Sequence, residues 1–297
     1  MKAFDARRIK QAEAAQLIIL HSLFSLRESK EIVFQGGTAI RWFYGGLRFS
    51  EDLDFVTSLA RDQVVSLIQS SAGQMRRQLV GNFGSGELSC KEKKSHGSSC
   101  KTLIDFSPAA VRGKTSVKIE FERLVPGMRP DFDRVIMQSS AAVSSFLRED
   151  NLKTPGSPVI VNVETPGEIL SDKLRALMER PYTRGRDFFD IWFVTGTLRA
   201  VIDAHGLKRK LEMYEVPFSI STPPTFYAKL DTLSHKDREK LLKEISADLE
   251  RFLSAESLGA FQEKGFHDLL EAVQDAFTQV IQANVIDFAK YPSRKLE

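Results

Sequence analysis

A chain of 297 residues, 42% hydrophobic and 27% charged, has the composition of a folded soluble protein and length for one large domain or two modest ones. Its two cysteines, Cys90 and Cys100, exclude a disulfide scaffold in a chain of this size, and no apolar run reaches the length of a membrane-spanning helix. The net charge of +3 permits a nucleic-acid partner without requiring one.

In chain order, residues 4 to 28 have the apolar spacing of an amphipathic helix (Ile9, Ala12, Ala15, Leu20, Leu23). Within it Leu17 to Leu26 is interrupted by His21, Ser22 and Ser25, and no small-residue cleavage site follows. It does not read as a convincing signal peptide, and the chain is expected in the cytoplasm. Glu31 to Gln35 predicts a short strand, Ala39 to Tyr44 a short apolar helix, Phe49 to Thr57 a second strand and Asp62 to Ala72 a helix. Residues 76 to 83 and 86 to 106 alternate as strands joined by polar turns. Cys90, His96 and Cys100 match no usual zinc spacing, so 90 to 100 is read as a hairpin turning at Ser95 to Ser98. Lys114 to Glu122 predicts another strand. Pro155-Gly156-Ser157-Pro158 marks a boundary before the strand Val159 to Val163. Beyond it the chain turns helical. Thr165-Pro166-Gly167-Glu168 has the form of a capping box, and helices are expected over 166–180, 186–204, 235–253 and 258–286, with a linker at Ser219 to Pro224. Strands first and helices later predict an α+β fold: an N-terminal lobe over 1–163 with a mixed β-sheet, and a mainly helical C-terminal lobe over 164–297 that closes the cleft.

The densest chemistry lies between Phe34 and Phe55. Residues two apart on a strand share a face, so Asp52 and Asp54 project together while Leu53 and Phe55 turn away. Two adjacent, partly buried carboxylates repel unless a cation joins them, and hard oxygen ligands suit Mg²⁺ or Mn²⁺. Gly36, Gly37 and Thr38 open the short helix, and a glycine turn at a helix N-terminus presents N–H groups to an anion. A phosphate cradle followed by a metal-holding pair of carboxylates reads as a nucleoside-triphosphate site. Arg48 and Ser50 share the face of Asp52 if the strand extends that far, and Arg48 then suits a bidentate phosphate contact.

These residues resemble the nucleotidyltransferase superfamily, and more closely the AbiEii/AbiGii family of toxins. The resemblance is carried by Gly36-Gly37-Thr38-Ala39, by Arg48 to Phe55, by Glu168-Ile-Leu-Ser-Asp-Lys-Leu-Arg-Ala-Leu177 and by Arg186-Asp-Phe-Phe-Asp-Ile-Trp192. It spans residues 30 to 195, and no further motif follows 200. It implies a metal-dependent transferase that moves NMP from an NTP to an acceptor and releases pyrophosphate. For some members the acceptor is the 3′ end of tRNA, and the family implies a separately encoded antitoxin. It also implies a third carboxylate on a neighbouring strand, which Glu120 fits, a lysine matched by Lys173, and an aspartate that completes the site, for which Asp190 is favoured over Asp187. In some members a serine or threonine at the place of Ser50 is phosphorylated and silences the toxin.

Each residue also has a plainer reading. Lys118 and Glu120 share one face of their strand, as many exposed strand faces do. Lys173 lies within the apolar stripe of Ile169, Leu170, Leu174, Leu177 and Met178, where it either snorkels out or serves an anion such as a triphosphate. Arg186 and Asp190, four apart, suit a structural pair. Arg180, Arg184 and Arg186 with Tyr182 form a basic loop that suits an RNA end or simply faces solvent. Two rival functions stay open: a transferase acting on a small molecule or protein, and a nucleotide-binding regulator without catalysis.

Overall fold

The computed structural model describes residues 5–94, 99–110, 113–150, 152–153 and 157–293. The turn expected at Ser95 to Ser98 and the Pro155-Gly156 part of the expected boundary lie outside the described residues. The chain divides into two compact units, Asp5–Glu164 and a second from Thr165 onward.

The first unit opens with α1 (Ala6–Phe24), capped by Asp5, and a short 3₁₀ turn (Arg27–Glu31). Then come β1 (Ile32–Gln35), α2 (Gly36–Phe43), β2 (Asp52–Thr57), α3 (Arg61–Phe83), β3 (Gly86–Lys93), β4 (Cys100–Pro108), β5 (Thr115–Arg123), β6 (Phe132–Ile136), α4 (Ala141–Glu149) and β7 (Ile160–Glu164). The seven strands make one mixed sheet in the order β3-β4-β5-β2-β1-β7-β6. β2 runs parallel to β5 and β1 parallel to β7, and the other pairs are antiparallel.

Period-two alternation divides the sheet chemically. Leu53, Phe55, Ile119 and Phe121 are fully buried, and Phe55 stacks on Phe121 at 4.9 Å and meets Phe34 at 5.2 Å and Phe24 of α1 at 6.3 Å. α1 also packs on α3, whose apolar stripe is Val64, Leu67, Ile68, Met75 and Leu79. Each such ring contributes roughly 1.5–3 kcal/mol by leaving water, so this face fixes the register, and Asp52, Asp54, Lys118 and Glu120 fall on the opposite one, where Val33 and Val56 are also buried.

Residues 76 to 83, expected as a strand, are the last turns of α3. Met75, Gln78 and Leu79 continue its buried stripe at helical spacing, and Gly84, at φ 85°, ends it. β6 and α4 were not expected, although α4 buries Val143 and Phe146 at helical spacing. The second strand is shorter than expected, beginning at Asp52 rather than Phe49.

The second unit is helical throughout its long elements: α5 (Pro166–Glu179), α6 (Gly185–Gly196), α7 (Ala204–Glu212), α8 (Pro224–Tyr227), α9 (His235–Leu249), α10 (Ala255–Glu263) and α11 (His267–Ala283). The helix expected to 204 stops at Gly196, and α7 follows separately. The helix expected over 258–286 is two, because Gly265 and Phe266 both take positive φ between α10 and α11. α6 packs against α5, α9 and α11, with Phe188, Phe189, Ile191 and Phe193 buried. Thr165 caps α5 by accepting from the Glu168 N–H at 3.4 Å. The Glu168 carboxylate instead pairs with Arg209 and, at 3.1 Å, with fully buried Lys210 of α7. Among the described residues no helix is long and apolar enough to cross a membrane.

Candidate active site

In the first unit the parallel register sets Asp52 beside Lys118 and Asp54 beside Glu120. The antiparallel register sets Glu120 beside Lys101 and Asp54 beside Gln35. Five ionisable groups from β2, β5 and β4 therefore share the face opposite the phenylalanine core. Lys118 Nζ lies 2.9 Å from Asp52 and 3.4 Å from Glu120, and Lys101 Nζ lies 2.6 Å from Glu120. Burial by itself lowers the Lys118 pKa, but Asp52, Glu120 and Asp54 together outweigh it and hold its ammonium above the ordinary lysine range.

The glycine turn meets this cluster at the end of β1. Gly36 takes φ 80°, a conformation that side chains rarely adopt, and a Cβ there would stand 3.0 Å from the Asp54 carboxylate. Asp54 thus lies against the N-terminus of α2, where first-turn N–H groups lack intrahelical partners and favour negative charge. Gly37 leaves room for a different reason. A Cβ on it would overlap the Arg48 guanidinium and come 3.1 Å from Ser50 Oγ. Arg48 and Ser50 are both buried, Arg48 Nη1 donates to the Phe49 carbonyl at 2.9 Å, and the Ser50 carbonyl accepts from Gln16 at 2.6 Å. Thr38, fully buried, donates its hydroxyl to the Asp52 carbonyl. Gly36, Gly37, Thr38, Arg48, Ser50, Asp52, Asp54 and Glu120 are thereby brought together in one unit. Arg48 and Ser50 reach the turn from the loop before β2, not from the strand.

The donor set suits a magnesium-type ion. Among the described residues no group of three His, Cys, Asp or Glu side chains is placed to form a metal cage. Mg²⁺, however, is usually held by one or two carboxylates with water and substrate phosphate oxygens completing its shell. Asp52 and Asp54, adjacent and partly exposed, offer that pair. Because Lys118 already contacts Asp52, a divalent ion must share that carboxylate with the ammonium or displace it.

The second unit gathers the other sequence candidates. Lys173 of α5 reaches Asp190 at 2.7 Å and Asp187 at 3.2 Å, both on α6 and both buried. Arg180 pairs with Asp187. Burial alone would raise the Asp187 pKa, but Arg180 and then Lys173 overcome it and hold the carboxyl well below the usual carboxylate range. The charge of Lys173 is thus satisfied by two carboxylates within the helices. Both aspartates meet it, so the choice of Asp190 over Asp187 separated residues that work on one ammonium. The three arginines divide: Arg180 faces Asp187, Arg184 stacks near and donates to Tyr182 at 2.8 Å, and Arg186 lies over Phe252 with its N–H on Asp248 at 3.1 Å.

Lys101 was missed by sequence reasoning. Its alternation is visible, but only the β4–β5 register assigns it to Glu120.

A family model for the AbiEii nucleotidyl transferase toxins of type IV toxin–antitoxin systems matches residues 19–279. Among solved structures, the crystal structure of JHP933 from Helicobacter pylori is similar with TM-score 0.54 at 16% identity, covering 95% of this chain and 97% of that one. That of a putative nucleotidyltransferase from H. pylori is similar with TM-score 0.53 at 18% identity, covering 94% and 99%. At these identities the likeness is one of fold. No curated protein matches the chain.

Proposed function

The chain belongs to the AbiEii nucleotidyl transferase toxin family of type IV toxin–antitoxin systems, and from that membership we propose that it transfers NMP from an NTP to an RNA hydroxyl, the 3′ end of tRNA, in the cytoplasm. The observation that carries this reading is the register that puts Asp52, Asp54 and Glu120 on one face beside the Gly36-Gly37 turn.

In this reading the N–H groups that open α2 and the Arg48 guanidinium hold the triphosphate. Asp52 and Asp54 would hold magnesium or manganese, which when bound neutralises phosphate charge. Glu120, fixed between Lys101 and Lys118, accepts the proton of the acceptor hydroxyl. The hydroxyl oxygen forms a bond to the α-phosphorus, the bond to the bridging oxygen breaks in line, and pyrophosphate leaves with that electron pair. Lys118 contributes fixed positive charge beside the reacting phosphate. Blocked tRNA ends stop translation, and a separately encoded antitoxin opposes the activity.

The test incubates pure protein with each α-labelled NTP, Mg²⁺ or Mn²⁺, and total RNA. Label in the tRNA band with stoichiometric pyrophosphate supports the reading. Label in protein or small molecules alone, or none with any NTP, overturns it.

A further inference from the structure

A second feature of the sheet unit lies away from the carboxylates. The 3₁₀ turn before β1, the segment entering β6 and the first half of β7 enclose a cavity of 680 Å³. That volume falls within the range of small-molecule and cofactor sites. Four cationic side chains line it, Arg27, Lys30, Arg129 and Arg134, and no Asp or Glu does. The local charge exceeds the +3 of the whole chain. All four residues are exposed. Among the described residues Lys30 meets a carboxylate, half-buried Glu31 at 3.7 Å, while Arg27, Arg129 and Arg134 meet none within ion-pair reach.

The cavity has an aromatic wall as well. The Arg129 guanidinium lies over the Phe132 ring at 4.3 Å and donates to the Lys30 carbonyl at 2.7 Å. Its plane is therefore fixed, with one face on Phe132 and the other available for stacking. Fixed guanidinium planes and aromatic rings stack nucleobases, and arginine forks bind phosphate bidentately. Phosphate donors and a stacking plane in one concavity are the two halves of nucleotide recognition. β6 stands three strands from β2 in the sheet order, about 14 Å at the usual ~4.8 Å spacing, and none of the carboxylate cluster lines the cavity.

We propose that this cavity is a second, non-catalytic site for a nucleotide unit, its phosphate held by Arg27, Lys30 and Arg134 and its base stacked on the Arg129–Phe132 pair. The nucleotide unit is either part of an RNA strand or a free nucleotide. The inference needs no transfer chemistry, so it survives or fails independently of the reaction assigned to Asp52 and Asp54.

The experiment measures binding to the full chain of two probes, a fluorescein-labelled single-stranded RNA and a fluorescent ADP analogue. It compares the parent with Arg27→Gln/Arg134→Gln and with Lys236→Gln/Lys240→Gln, a pair on α9 outside the cavity that removes the same charge. The cavity pair is expected to weaken at least one probe about tenfold, as loss of charge-assisted phosphate contacts does, and the α9 pair less than about twofold, the size of a screened surface effect. Loss confined to RNA identifies a strand site, and loss confined to ADP a free-nucleotide site. No loss in the cavity pair, or equal loss in both pairs, overturns the proposal. The single variants Arg27→Gln and Arg134→Gln carry the same test if the double variant does not melt cooperatively.

Discussion

Lys118 Nζ and the Asp52 carboxylate meet at 2.9 Å across the parallel β2–β5 pairing, so an ammonium occupies part of the negative field that a divalent ion would use. Lys118→Met removes that competitor and leaves three carboxylates on the face. For a partly exposed pair the screened interaction is about 1 kcal/mol at most, about fivefold in affinity. Mn²⁺ binding followed by electron paramagnetic resonance is expected to tighten by about that factor while transfer falls, since the phosphate loses a cation. Unchanged Mn²⁺ affinity would place the ion elsewhere.

Asp52→Asn and Asp54→Asn are expected to lower nucleotide transfer at least ~100-fold, the scale of losing a group that stabilises transition-state charge. Melting should move little, because both groups are partly exposed and neutralising one eases the repulsion on its neighbour. Parent-like turnover in either variant removes the metal role from that residue.

Gly37→Ala tests the glycine turn. The new Cβ overlaps the buried Arg48 guanidinium, which must leave its place or push the turn outward. The NTP KM should rise about tenfold or more from loss of a charge-assisted phosphate contact, with a modest drop in Tm. An unchanged KM would show that Arg48 does not hold the triphosphate. Ser50→Asp, whose carboxylate would lie at the same turn, is expected to lower transfer, and Ser50→Ala to be tolerated better. Matching activities for the two would remove Ser50 as a control point.

Lys173→Met is expected to destabilise the protein by roughly 3–5 kcal/mol, as breaking a buried ion pair from one side does, because Asp187 and Asp190 would both lose its ammonium. Thermal unfolding measures this directly. A variant as stable as the parent would show that the lysine is held for a ligand and not for the helices.

Acid titration should expose the same cluster. The folded Asp187 carboxyl titrates below its unfolded value, which lies near ~3.9. Its stabilisation is therefore present above about pH 4 and is lost as pH falls from there through the lower folded value. Urea unfolding of the parent should weaken through that window, and Asp187→Asn should be less stable at neutral pH but flatter below pH 4. Parallel curves for the two proteins would contradict the assignment.

The site and the fold differed in how far the sequence exposed them. That Asp52 and Asp54 share a face needed only strand alternation, and the turn that opens α2 only glycine's freedom to take positive φ. The two-unit order followed from strands preceding helices. Lys101 and the Asp52–Lys118 contact were hidden because register is a long-range property, set here by the phenylalanines of the opposite face. The end of α3 was misread because Leu79 and Val80 are apolar neighbours in a short window, where strand and helix patterns coincide. Lys173 was legible as a lysine out of place in an apolar stripe, but not its partners, since helix–helix contact brought α6 to it.

The β2–β5 pairing also bears on when the protein can become active during its own synthesis. Asp54 and Glu120 stand side by side although roughly 65 residues of chain separate them, and α3, β3 and β4 must be made before β5 can dock. At ~5–20 residues per second on the ribosome, the glycine turn and the aspartate pair emerge seconds before the strand that completes their face. A product truncated after Phe55 and before Lys101 therefore carries the most recognisable motif of the chain without its third carboxylate or either lysine. For a protein whose activity harms the cell that makes it, abortive translation products would be inert.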